Sequence, residues 1–231
     1  TNNGRMYRCV VDNIPDGTNV TKGVPINTLV KLDPAEKVIA VTSLHRKTTP
    51  QFAIFVTKQG MIKKTYLSEY MGAKKNAGIA ALKIKEGDSV AKIIFQDMED
   101  IIIITRKGMS IRFETKTIGA VGRVAMGVRG IKLNEDDEVL TALPVHKTTD
   151  TLAIFGVSGI GKKVALKDFP VQARGGKGTS CSKEDIAGAS MIDDDDNVLI
   201  SGNNSSICIS AKDIPLLSKT GQGNILIKNN R

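Results

Sequence analysis

Residues Ile101 to Leu133 read IIIITRKGMSIRFETKTIGAVGRVAMGVRGIKL, and this stretch decides the fold. Four β-branched residues, Ile101 to Ile104, open it. A turn follows at Thr105-Arg106-Lys107-Gly108, then a strand-like run ending at Ile118. A basic glycine loop, Gly122 to Gly127, and a short apolar segment, Val128 to Leu133, close the unit.

Working outward, the rest of the chain repeats this unit. Turn anchors stand at Gly4, Gly60, Gly108, Gly159 and Asn204. Ten residues after each lies a large apolar residue: Ile14, Tyr70, Ile118, Phe169 and Ile214. A second glycine follows at Gly23, Gly78, Gly127, Gly178 and Gly223. Three anchors in phase five times, at a period of about fifty residues, signal a propeller, solenoid or array. Approximate repeats run 1–49, 50–98, 99–148, 149–195 and 196–231, as one domain over residues 1–231.

Short runs rich in Ile and Val, punctuated by Gly, Pro and Asn, predict an all-β chain. Expected strands include Arg5 to Val11, Phe52 to Val56, Met61 to Leu67, Leu152 to Phe155, Ile160 to Leu166, Val198 to Ile200 and Ser206 to Ser210. Val38 to Val41 is read as closing the first unit, and Ser43 to Gln51 as a connection. Ser182 to Ala189 is the one segment read as a helical turn. Glycine suits the hairpin position because positive φ costs it little. No unit can bury its own apolar face, so neighbours must stack, and radial stacking suits units of four strands. Thr1-Asn2-Asn3-Gly4 lacks the apolar strand that precedes the equivalent turn elsewhere, so the expectation is a fragment that starts inside a unit.

Composition narrows the function. The net charge is +9 and the pI near 9.4. That excess favours a polyanionic partner, nucleic acid first and an acidic membrane surface second. Aromatics are 4% and tryptophan is absent, which disfavours base stacking on single strands. Aliphatic runs are too short to span a bilayer, and no leader precedes them. Cys9, Cys181 and Cys208 suit neither a disulfide framework nor a zinc site, and a reducing cytosol is the simplest setting.

The candidate contacts are basic. Four residues past the turn anchor lie Arg8, Lys64, Arg112 and Lys163, with Cys208 in the fifth copy; one position earlier, Lys63 and Lys162 add to the series. A recurring positive charge suits evenly spaced phosphates, whereas the alternative is a solvated edge with lysines blunting aggregation. The glycine loops carry Lys22, Lys74, Lys75, Arg123, Arg174, Lys177 and Lys219, with Arg129 just beyond the third. Glycines let backbone N–H groups approach an anion, and flanking cations supply charge. Gly156 to Lys162 imitates the start of a phosphate-binding P-loop, but Lys163 stands where Ser or Thr must hold magnesium, and a strand is expected next. Asp193 to Asp196 cannot all face one ion in a strand and reads as an exposed turn. His45 and His146 have no partner at a telling spacing. No catalytic residue and no metal site is assigned.

The fourth loop, Gln172-Ala173-Arg174-Gly175-Gly176-Lys177-Gly178, differs at one position from the Gln-Arg-Arg-Gly-Gly-Lys-Gly signature called the GyrA box. Gly122-Arg123 through Ile131, Gly60 to Leu67 with Glu69-Tyr70, and Gly4-Arg5-Met6-Tyr7 likewise resemble the C-terminal domain of the gyrase A protein. The resemblance covers essentially all 231 residues. It implies a β-pinwheel, a ring of blades that exchange strands, whose basic rim wraps duplex DNA in support of ATP-driven negative supercoiling. It implies that Gln172, Arg174 and Lys177 contact DNA, although in the family the box lies in the first blade and here it falls, by resemblance, in the fifth. The first blade, the cleaving tyrosine, and the sites for ATP and Mg2+ would lie outside this chain, which needs no cofactor of its own. Implied partners are duplex DNA, the dimer of gyrase A proteins and the gyrase B protein, in the cytoplasm at the nucleoid. The corresponding protein of topoisomerase IV has a similar domain with a degenerate box and is the alternative; a propeller serving as a protein-interaction scaffold is a third.

Overall fold

The computed structural model describes residues 1–43, 51–72, 77–146, 148, 150–202 and 205–228. Sixteen strands and no α-helix occur among the described residues. The first repeat contributes β1 (Arg5–Met6). The second contributes β2 (Phe52–Thr57), β3 (Met61–Tyr66), β4 (Ile79–Ala80) and β5 (Val90–Ile94). The third contributes β6 (Asp100–Thr105), β7 (Met109–Glu114), β8 (Val128–Arg129) and β9 (Val139–Val145). The fourth contributes β10 (Thr151–Gly156), β11 (Ile160–Ala165), β12 (Thr179–Ser180) and β13 (Ile186–Ile192). The fifth contributes β14 (Asn197–Ser201), β15 (Ser206–Ser210) and β16 (Asn224–Ile225).

Three four-stranded antiparallel sheets have the orders β5-β2-β3-β8, β12-β7-β6-β9 and β13-β10-β11-β16; β1-β4 and β14-β15 form two-stranded sheets. In each four-stranded blade, three strands come from one repeat and the fourth from the next. β4 crosses to β1 in the same sense. This strand exchange is the β-pinwheel.

The geometry of each exchange follows from glycine. Gly4, Gly60, Gly108 and Gly159 all have positive φ, between 67° and 87°, as a tight hairpin requires. Each turn glycine also offers its carbonyl to two successive amides of the next repeat. Gly60 O accepts from the Gly130 and Ile131 amides at 2.8 and 3.2 Å, and Gly108 O from those of Cys181 and Ser182 at 2.8 and 3.3 Å. Gly4 and Gly159 do the same toward Ala81 and Leu82, and toward Leu226 and Ile227.

The core lies between successive blades, which explains the four isoleucines in a row. Side chains alternate along a strand, so Ile101 and Ile103 pack toward Ile54, Val56 and Ile62 of the preceding blade, whereas Ile102 and Ile104 pack toward Leu152, Ile154 and Val164 of the following one. All four are 0% exposed, and burying each contributes about 1.5–3 kcal/mol. The repeated apolar anchors Tyr70, Ile118, Phe169 and Ile214 are buried too, each just after or within a 3-10 turn, whereas Ile14 is exposed.

Several expectations are corrected. Ser182 to Ala189 forms no helical turn; Ile186–Ile192 is β13, paired along β10. Its apolar residues meet a sheet face, and a neighbouring edge decides their conformation. The strand expected over Arg5 to Val11 stops at Met6. Val10 keeps extended dihedrals (φ −90°, ψ 135°), but β4 offers partners only to Arg5 and Met6. Val38 to Val41 forms no strand. Asn204 and His45 lie outside the described residues.

Candidate nucleic-acid interface

Three of the glycine loops are built against the preceding blade. Gly127, Gly178 and Gly223 have φ of +88°, +73° and +90°. A Cβ at any of them would run into the backbone at Ile62, Ser110 or Gly161, two residues past the preceding turn anchor. This close approach carries the chain from the loop into the exchanged strand.

Beneath two loops sits a buried lysine. Lys63 is 1% exposed and Lys162 4%. The Lys63 ammonium donates to Ala81 O at 2.7 Å and to Arg123 O. The Lys162 ammonium donates to Lys219 O at 2.6 Å and Gly221 O at 2.7 Å. Arg123 and Lys219 hold the same place in their loops, four residues before the second glycine. The two lysines therefore fasten the loop of the next repeat from below. Lys163 is 5% exposed and pairs with Asp194 at 2.7 Å.

These three placements correct the sequence reading twice over. Lys63, Lys162 and Lys163 neither face phosphates nor blunt a solvated edge, because their donors are taken by acceptors that a neighbouring repeat or strand brings to them. A buried ammonium is tolerated only when so bonded.

Burial pushes the Lys63 amine down to about 8, with Glu69 opposing the shift and Arg123 reinforcing it. Tyr70, whose hydroxyl donates to Ala81 O at 3.0 Å, is pushed up to about 12 and stays neutral. Between pH 8 and the ordinary lysine value of 10.5, the unfolded chain therefore holds a proton that the folded chain has released. Stability should rise with pH across that window. In urea titrations at two pH values inside it, wild type is expected to gain about 1–2 kcal/mol relative to Lys63→Met; an identical pH response in both proteins would exclude this origin.

The residues four past the turn anchor are also structural. Arg8 donates to Met71 O at 2.8 Å and Lys64 to Thr115 O at 3.1 Å. Arg112 pairs with Asp100 through Nε and Nη2 at 2.9 and 2.7 Å, and reaches Leu166 O and Phe169 O at 3.4 Å. Each of the three thus reaches the 3-10 turn of the next repeat. Farther along the same repeats, the Val121, Gln172 and Leu217 amides donate to the carbonyls of Lys64, Arg112 and Lys163. Lys64 also lies 5.0 Å from the Phe52 ring centroid.

Within the loops, Arg123 and Arg174 lean back onto the preceding exchanged strand, bonding Ala80 O and Arg129 O. Lys219 bonds Thr179 Oγ1 at 2.5 Å and lies 5.0 Å from the Phe169 ring centroid. Gln172 is half-buried, while Lys22, Lys177 and Arg129 are exposed. Lys74 and Lys75 lie outside the described residues.

A row missed by the sequence reading completes the surface. Five residues after the second glycine stand Lys83, Lys132, Lys183 and Lys228, and all four are exposed. None has an ion-pair partner among the described residues. The Lys83 amide donates to Ala125 O at 3.3 Å and that of Lys132 to Gly176 O at 2.8 Å, so this row borders the basic loops. Its signal was a lysine at one repeat position in four of five copies, hidden in a segment read only for its apolar residues.

The imitation P-loop, 156–162, is the hairpin joining β10 to β11, with Lys162 turned inward. Asp193 to Asp196 forms a turn closed by the Asp196 amide on Asp193 O and tied by Asp194 to Lys163 and Asp195 to Lys212. The three cysteines are free thiols, and burial raises the pKa of Cys181. No helix among the described residues is long and apolar enough to cross a membrane.

Comparison with known proteins places this architecture. The family described as DNA gyrase C-terminal domain, beta-propeller, matches residues 1–44, 51–97, 99–146, 150–201 and 195–230. The gyrase A protein of Helicobacter pylori J99 is 31% identical over 236 residues, covering 98% of this chain and 28% of that protein. Its counterpart in Clostridium acetobutylicum is 34% identical over 237 residues, covering 100% of this chain and 28% of that protein. The chain thus spans 28% of the length of these curated relatives. Among solved structures, the C-terminal domain of DNA topoisomerase IV aligns at TM-score 0.92 with 23% identity, over 98% of this chain and 73% of that one. The DNA gyrase A C-terminal domain aligns at 0.78 with 23% identity, over 100% and 77%. Both share the fold. With strands exchanged between blades throughout and the family matched along nearly its whole length, the chain belongs to the DNA gyrase C-terminal domain, beta-propeller family.

Proposed function

We propose that this chain binds duplex DNA along its basic rim and wraps it, serving a gyrase holoenzyme in ATP-dependent negative supercoiling. The observation that carries the reading is the row of exposed lysines, Lys83, Lys132, Lys183 and Lys228, repeated in four of the five repeats beside loops that carry Lys177 and Arg129. A cation recurring at one position in four successive repeats offers regularly spaced contacts to a backbone of evenly spaced phosphates, without reading base edges. Bending a duplex around the domain costs several kcal/mol, so many such contacts must act together. The site then comprises this row, Lys22, Arg129, Gln172, Arg174, Lys177 and Lys219, together with Lys74 and Lys75; the half-exposed Arg123 adds charge. Lys63, Lys64, Arg8, Arg112, Lys162 and Lys163 support it from within.

The chemistry belongs to the rest of the holoenzyme. ATP and Mg2+ act there, and the partners are the dimer of gyrase A proteins and the gyrase B protein, in the cytoplasm at the nucleoid. The test is a topology shift. The protein is mixed with nicked circular DNA, the nick is ligated, protein is removed, and the linking-number change is read on a two-dimensional gel. A positive shift that grows with protein is expected. Binding without a shift would replace wrapping by the topoisomerase IV-like alternative, and no affinity for duplex DNA would leave the scaffold reading.

A further inference from the structure

We infer that two of the glycine loops are main-chain phosphate sites, preorganised from beneath by Lys63 and Lys162. The inference rests on the rim reading above and specifies how part of that rim holds its ligand.

The argument starts from peptide geometry. In a planar trans peptide the carbonyl and the following N–H point in opposite directions. Lys63 draws the Arg123 carbonyl inward, so the Val124 amide points outward. Lys162 draws in the carbonyls of Lys219 and Gly221, so the amides of Thr220 and Gln222 point outward. Val124 is 58% exposed, and Thr220 and Gln222 are exposed as well. No acceptor takes these three amides among the described residues. Neither ammonium has a carboxylate bonded to it, although Glu69 lies near Lys63 and takes the Arg123 amide at 3.1 Å; the positive charge, least offset at Lys162, adds to the outward-facing N–H dipoles. Outward main-chain amides over a buried cation suit an anion, and the natural ligand is a phosphate of the DNA backbone.

The fourth loop supplies the contrast. Ile111 stands where the other two blades have lysine. There the Gly175 amide turns inward to Gly130 O at 2.8 Å, with Gly175 at φ +84°. At the position of Val124 and Thr220 the box-like loop therefore has no outward amide, and it offers DNA its side chains, Lys177 and Gln172. Three loops of similar composition thus divide into two modes of contact.

The experiment follows backbone amide resonances of the chain, titrated in parallel with inorganic phosphate and with a short duplex. Val124, Thr220 and Gln222 should shift with both probes while Gly175, whose amide is bonded inward, stays still with phosphate. Lys63→Met should abolish the response at Val124 and leave Thr220 and Gln222 responding; Lys162→Met should do the reverse, so each variant controls for the folding of the other. Duplex binding with the three amides unmoved would overturn the inference and leave the rim reading standing, as would amide responses that survive loss of the lysine in a folded variant. If duplex fails to bind at all, the rim reading falls, and the phosphate arm still decides whether the loops are anion sites. Should a variant not fold, the wild-type pattern decides: three amides responding and Gly175 silent sustains it, and a uniform response refutes it.

Discussion

Replacing Lys83, Lys132, Lys183 and Lys228 together with alanine is expected to weaken duplex binding by about 100- to 1,000-fold near physiological salt. The reasoning is counterion release. Each lysine that neutralises one phosphate contributes about −0.9 to the slope of log K against log salt, so four contacts contribute about −3.6. Anisotropy titrations with a single duplex at several salt concentrations would measure both quantities. All four side chains are exposed and unpaired among the described residues, so the fold should be unaffected. Lys116 and Lys212 are the comparison. They are also exposed, but they pair with Glu114 at 2.8 Å and Asp195 at 3.0 Å. Replacing those two removes charge of the same sign, yet should change the slope little. A quadruple variant whose slope matches wild type would show that the row is not the contact surface.

Gly108→Ala is expected to cost the fold about 3 kcal/mol or more, lowering Tm by roughly 6–12 °C in a domain of this size. Two effects combine there. The residue sits at φ +81°, where any side chain is strained. Its added Cβ would also stand 2.7 Å from Ser182 O and 3.1 Å from Ser182 Cβ, just past the strand donated by the next repeat. Relieving that contact pulls the donor away and loosens the bonds from the Cys181 and Ser182 amides to Gly108 O. Gly119→Ala is the control, since its Cβ would meet nothing within 4 Å and its φ is ordinary. Equal thermal shifts for the two variants would mean that the exchange does not depend on the turn glycine.

Both results bear on what could be read in the chain before its structure. The hairpins were legible because their causes are local. A glycine at positive φ between two apolar runs declares a turn wherever the rest of the chain goes. β14 and β15 fell over Asn197–Ser201 and Ser206–Ser210, one residue wider than expected at each end of the first and as expected for the second. The isoleucine run at Ile101 to Ile104 announced a strand, and the structure covers it on both faces. Failures came where the cause was distant. Ser182 to Ala189 read as a helical turn in isolation, yet from Ile186 the chain forms β13 because β10 offers Ile186–Ile192 six partners. Arg5 to Val11 looked like a strand throughout and stops where β4 ends.

The candidate site divides along the same line. Its net positive charge, the basic loops and the turn glycines were set by the sequence alone, since composition and backbone conformation do not depend on what a residue later meets. Tertiary structure decided which cations face solvent. Lys63 and Lys83 are the same residue type, yet one is buried beneath a loop and the other borders one. The carbonyls that hold Lys63 belong to Ala81 and to Arg123, 18 and 60 residues away. A lysine turns inward only where such acceptors converge, and their convergence depends on the exchange of strands between repeats, which no local stretch of sequence encodes.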